Sequence, residues 1–210
     1  MVPRRSAGAL GALVLVCLVK VPEASAQTLT FGVKAGVTSS TLEIEATDLI
    51  ISPSSRIGAE AGVFVARKLF GSFEGQIEGL ASQKGTIIKD DPRYAGDLKV
   101  RITYLDVPAL LGYRFALSQK AAVHALAGAV FSLRLHDKQL EGSDVLEAGV
   151  KQAFTSGDVG LSLGGAVTFR QMSVDVRYVW GLSNINDDVD RDELTARNRT
   201  WSVSVGWRLK

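Results

Sequence analysis

The chain has one cysteine, two histidines and five prolines among 210 residues. That leaves too few ligands for a Cys/His metal centre, and no cofactor site is expected. A net charge of +2 is too small for a nucleic-acid-binding surface, so no nucleic-acid partner is expected. With 22% charged and 46% hydrophobic residues, the chain is not disordered. No apolar run reaches the about 20 residues that a transmembrane helix needs. What the chain has instead is glycine, 21 residues of it, and a length that fits one domain.

The N-terminus reads as an export signal. Arg4 and Arg5 precede an uncharged apolar run, Ala7–Val19, and Ala24-Ser25-Ala26 then offers small residues at a cleavage site. Residues 1–26 are therefore expected to form a signal peptide and residues 27–210 the mature domain. Cys17 lies in the leader, preceded by Leu15 and Val16 and not by the small residues of a lipid-attachment site. Cleavage removes three basic residues and one acidic residue, leaving 21 of each and no thiol. The mature chain then carries no disulfide, although it is exported.

The mature region has no sustained helical period and shows repeated alternation of period two, the mark of strands with unlike faces. Strands are expected at about 28–38, 56–68, 72–84, 99–116, 121–136, 156–170, 172–182 and 198–209. The apolar parity of the sequence switches within the fourth, from Val100, Ile102 and Tyr104 to Val107, Ala109 and Leu111. A β-bulge near Asp106-Val107-Pro108 would absorb that change. Connections run long, short, long, short, long, short, long. This is the pattern of an eight-stranded antiparallel up-and-down transmembrane β-barrel, with short turns periplasmic and long loops extracellular. Closure removes the sheet edges that lipid would not tolerate.

Alternation alone does not say which face is outside. A secreted, lipocalin-like carrier of a small hydrophobic ligand is also eight-stranded, with its apolar face inside. Three features favour apolar-out. Aromatic residues fall near strand ends on the apolar face: Phe73, Phe115, Phe169 and Trp207 toward the short turns, and Tyr104, Trp180 and Trp201 toward the long loops. These are expected to be the two girdles of a membrane barrel. The polar face carries both charge signs, Glu60, Glu74, Glu78, Asp158 and Asp175 with Lys34, Arg134, Arg177 and Arg208, expected to pair in a narrow lumen. Many glycines share that polar face, leaving room for those side chains.

The chain resembles the porin-family outer-membrane β-barrel proteins, which include PorT-like and OmpX/OmpA-like barrels. The matching stretches are Phe31-Gly32-Val33-Lys34-Ala35-Gly36, Tyr104-Leu105-Asp106-Val107-Pro108 and, most strongly, Val174-Asp175-Val176-Arg177-Tyr178 running on to Gly181-Leu182 and Asn184-Ile185. The resemblance covers essentially all of 27–210. It implies an outer-membrane location, contact with membrane lipid and lipopolysaccharide, and passage through the barrel-insertion machinery. The PorT likeness also implies an alternative role as an accessory factor in secretion or envelope assembly. Such chains usually end in an aromatic residue; this one ends Trp207-Arg208-Leu209-Lys210.

Candidate chemistry is sparse. His124 lies on the polar face of the fifth strand, where a hydrogen-bonded lumen residue is expected over a general base. Ser132 and His136 share a parity, but Arg134 lies between them and no third group completes a catalytic set. An enzyme is not expected. The segment 184–193 holds Asp187, Asp188, Asp190, Asp192 and Glu193 and is read as a solvated acidic loop over a divalent-cation site. Eight strands enclose only enough room for side chains or one small ligand. The expected role is structural or interaction-based: a barrel with a filled lumen that is not an open diffusion pore, presenting loops 39–55, 137–155 and 183–197 to an extracellular or envelope partner.

Overall fold

The computed structural model describes residues 29–45, 54–88, 98–140, 157–183 and 195–209. The expected leader, the loop aspartates and Glu193 lie outside the described residues. Eight strands run in chain order: β1 Leu29–Glu45, β2 Ser54–Phe70, β3 Phe73–Ile88, β4 Leu98–Ala116, β5 Ala121–Leu140, β6 Gly157–Phe169, β7 Met172–Gly181 and β8 Thr195–Arg208. Each pairs antiparallel with the next, and β1 pairs β8, so the sheet closes as a barrel.

Three tight connections gather at one end. Gly71 turns between β2 and β3 with φ +54°, and Arg170 holds φ +54° in the turn after β6. Between β4 and β5, the Ser118 hydroxyl accepts from the backbone N–H of Lys120 and Ala121. The barrel closes at the same end, where Leu209 N–H donates to the Phe31 carbonyl over 2.8 Å.

Period-two alternation places the aliphatic residues outside. Val33, Val37, Ile77, Leu111, Leu161, Val203 and Val205 all stand exposed on the outer wall. Lys34, Glu60, Glu78, Asp106, His124, Asp158, Asp175 and Arg177 are buried inside it. This polarity is the reverse of a soluble barrel's.

Some strands run further than the apolar pattern suggests. β1 continues to Glu45, paired with β8 from Trp201 back to Thr195. Polar residues continue the ladder because their backbones bond as well as any, whatever the side chains face. The parity of β4 also differs from expectation. Ile102, Tyr104, Asp106, Leu110 and Gly112 all face inward, and Val107, Ala109, Leu111, Tyr113 and Phe115 outward. No bulge falls at 106–108. The register shift lies in β5, where Thr103 pairs with His136 and Tyr104 with Arg134, so that Leu135 is the extra residue. Apolar side chains on the inner face of β4 create the appearance of a parity change.

Candidate functional site

Among the described residues the lumen holds three polar groups, stacked from the short-turn end toward the long-loop end. The lowest centres on Glu74, near the start of β3. Its Oε2 lies 3.4 Å from His124 Nδ1 on β5, and its Oε1 lies 4.0 Å from Arg114 Nε on β4. His124 Nε2 meets Thr168 Oγ1 at 3.2 Å, and that hydroxyl donates to the Ala122 carbonyl. The order acid, imidazole, hydroxyl resembles a catalytic relay. Yet Thr168 is buried and its proton is committed to a backbone acceptor, so the group reads as a hydrogen-bonded support. Arg208 lies half-buried at the same end.

The middle group joins four strands. Arg177 on β7 makes a bidentate pair with Glu78 on β3, Nη1 to Oε2 at 2.8 Å and Nη2 to Oε1 at 2.7 Å. Its Nη2 also reaches Asp175 Oδ2 at 3.1 Å. Lys34 on β1 contacts Glu78 Oε1 at 3.1 Å and also pairs with Asp175. Gln76 donates to Glu78, and Ser204 on β8 donates to Asp175. Small residues make room for these long side chains. At Gly164 a Cβ would stand 2.8 Å from Arg177 Cγ, closer than packed side chains approach. Glu60 lies beside this group on the wall of a cavity of about 30 Å³, which Arg177, Thr38, Ser162, Thr200 and Ser202 also line. That volume suits about two water molecules.

The upper group centres on Lys84 and Asp106, which pair at 2.9 Å. Ser82 donates to Asp106 at 2.5 Å, and Lys84 donates to Ser132 at 3.1 Å and sits 5.0 Å over the Tyr104 ring. Asn198 on β8 holds Asp158 Oδ2 at 2.9 Å. Arg134 faces inward, half-buried, at this end. Ser132, considered with His136 from the sequence, accepts from Lys84, the bulge at Leu135 interrupts the alternation between the two positions, and the side chain of His136 lies outside the described residues.

Of the residues expected in the lumen, the structure joins Lys34, Glu78, Asp175 and Arg177 in one group. It places Glu60 on the cavity beside them, Glu74 and Arg208 at the short-turn end, and Asp158 and Arg134 in the upper lumen. Lys84 and Asp106 were not among the candidates. Lys84 shares the parity of Glu74 and Glu78, which was the signal available, and Asp106 was obscured by the supposed bulge. Phe64, Leu80, Leu110, Leu126 and Val130 are also buried, so the lumen is apolar between its ionic groups.

The outer wall carries aromatic side chains at both ends. Toward the short turns Phe70, Phe73, Tyr113 and Phe115 form a chain with centroids 4.9, 5.0 and 4.7 Å apart, and Phe169 and Trp207 are exposed at the same end. Toward the long loops Tyr178 packs on Trp180 and Trp201 at 4.4 and 4.8 Å. The sequence pattern places Tyr104 in this girdle, and the structure does not. Tyr104 is buried in the lumen against Lys84, because β4 keeps one parity throughout. Among the described residues no group of three His, Cys, Asp or Glu could hold a metal ion.

The sequence matches a family described as outer membrane protein beta-barrel domain over residues 25–187. The chain belongs to that family. The barrel is accordingly an outer-membrane protein, and its exposed aliphatic wall is the surface that meets lipid. The solved outer membrane protein OprG from Pseudomonas aeruginosa shares the fold, with a TM-score of 0.50 at 10% identity, covering 87% of this chain and 97% of that one. Neisserial surface protein A superposes at 0.49 with 12% identity, covering 86% and 98%. The Escherichia coli outer membrane protein W superposes at 0.44 with 14% identity, covering 88% and 100%. A comparison with curated proteins finds no match.

Proposed function

We propose that this barrel is a closed scaffold, and that its role is structural or carried by the segments joining its strands at the long-loop end. The observation behind this reading is the middle lumen group. Five charged side chains from four strands occupy the same level, and four of them are locked in ion pairs. Opening a path there would strip paired charges of their partners, at several kcal/mol each. Leu80, Leu110 and Leu126 are also buried inside the barrel. A barrel so occupied is not a diffusion pore, and no catalytic residue is assigned to it.

Function then falls to residues 46–53, 89–97, 141–156 and 184–194, on the extracellular side in this reading. Two measurements test it. Planar-bilayer recordings of the refolded protein should show no steady open-channel current; a stable conductance overturns the closed lumen. A barrel with 141–156 and 184–194 replaced by short turns should stay heat-modifiable on gels while losing the partners that the full chain captures from envelope extracts. Undiminished capture by the trimmed barrel moves the interaction to the periplasmic side, as an assembly factor requires.

A further inference from the structure

The short-turn end of the barrel is strongly cationic. Arg67 and Lys68 lie near the end of β2, Lys120 in the β4–β5 turn and Arg170 in the β6–β7 turn, all exposed, while Arg114 and Arg208 stand half-buried in the lumen mouth at the level of Glu74. Outside the buried middle group, Glu74 is the only carboxylate among the described residues at this end, and His124 and Arg114 already engage it. The cations are spread around the circumference and do not form one patch.

Apolar residues share the same rim. Leu69, Phe70, Leu117 and Met172 are exposed at or beside the turns. They continue the girdle of Phe73, Tyr113 and Phe115. The Arg170 guanidinium lies 5.5 Å over the Phe169 ring, which fixes the charge at the level of the girdle. A soluble acidic partner would have no use for apolar side chains distributed all round a barrel mouth. A bilayer interface uses both: aromatic and aliphatic groups enter the acyl boundary while Lys and Arg stems carry their charges out to the phosphates.

We propose that this end is a docking ring for anionic phospholipid headgroups of the inner leaflet, of the phosphatidylglycerol type. The inference rests on the outer-membrane placement and on the short turns lying on the periplasmic side. A Lys or Arg held at an anionic surface is worth roughly fivefold in association at low salt, and the benefit falls as ionic strength rises.

The test uses the full barrel refolded into phosphatidylcholine vesicles carrying a minor fraction of phosphatidylglycerol. Spin-labelled phosphatidylglycerol and phosphatidylcholine report the lipid in contact with the protein. The barrel should take phosphatidylglycerol about fivefold in preference, and salt should abolish the preference. The variant R67Q/K68Q/K120Q/R170Q should bring it close to parity. No preference in the parent protein, or one that survives both salt and the four substitutions, overturns the proposal. Binding of soluble polyglutamate to the barrel in pure phosphatidylcholine, with no lipid preference, also overturns it and assigns the ring to an acidic polypeptide. Heat-modifiable gel mobility, run on every sample, separates these outcomes from loss of the barrel itself. If the fourfold variant does not fold, the single variants and the salt series on the parent protein carry the test. Symmetric vesicles present the same lipids to either insertion direction, so the result is independent of which end faces the periplasm.

Discussion

Arg177 serves two carboxylates with one guanidinium. Its planar fork matches Glu78 through two parallel hydrogen bonds, and the same Nη2 reaches Asp175. Lysine has no such fork. Lys34, on the opposite side of the group, acts as a point charge between the same two acids. Removing the guanidinium leaves two buried carboxylates to a single ammonium. Arg177→Met is therefore expected to cost about 3–5 kcal/mol, the usual penalty for breaking a buried pair from one side. Replacing both Arg177 and Glu78 by Met should recover much of the loss, because no charge is then stranded there. Urea unfolding in phospholipid vesicles, followed by tryptophan fluorescence, checks both values. An equal loss in the single and double variants would show that packing, and not charge, sets the cost. The members of this group were legible in the sequence, since Lys34, Glu78, Asp175 and Arg177 each lie on the polar face of an alternating strand. Their grouping was not. It depends on which residues stand level across β1, β3 and β7, and that is set by the stagger of the closed barrel.

Strands and turns were legible where local chemistry dictates them. Gly71 marks the β2–β3 turn because its φ of +54° lies in the left-handed region, which side chains with a Cβ enter at a cost of about 1–2 kcal/mol. Gly71→Val should destabilise the barrel by that amount, while Gly79→Ala, where an added Cβ meets nothing within 4 Å, should cost less than half of it by the ordinary scale of surface changes, within about 0.5 kcal/mol. The two variants compared in the same unfolding assay check this. A larger loss at Gly79 would mean that the outer wall is more tightly packed than its open space indicates. The upper ends of β1 and β5 were less legible. There the ladder persists through residues with no apolar alternation, since backbone pairing asks nothing of the side chains. β4 misled for the opposite reason. Ile102, Tyr104 and Leu110 are apolar yet face inward, and a pattern read as apolar-out assigned Ile102 and Tyr104 to lipid. A lumen is polar only where its polar groups find partners; elsewhere it packs like any other interior.

For the molecule as a whole, polarity decides what kind of barrel it is, and one strand can test it. β8 carries Val203 on the outer wall between the two aromatic levels, and Leu209 follows its end beyond Trp207. In a bilayer those positions differ in depth. An arginine at the level of Val203 lies in the hydrocarbon and should cost about 2–4 kcal/mol, whereas one at Leu209 reaches the headgroups and should cost about 0–1 kcal/mol. Both side chains are exposed to comparable degrees, 46% and 62%, so in a water-surrounded barrel the two substitutions would be nearly alike and nearly free. The contrast between them therefore measures depth and not packing. Vesicle unfolding of Val203→Arg and Leu209→Arg should show the steep difference. Equal, small losses would mean that the apolar wall does not face lipid, and the aromatic girdles would then need another explanation. The same depth scale bears on the cationic rim, since Arg170 and Lys120 are tolerable at their positions only because the chain turns there, at the edge of the hydrocarbon.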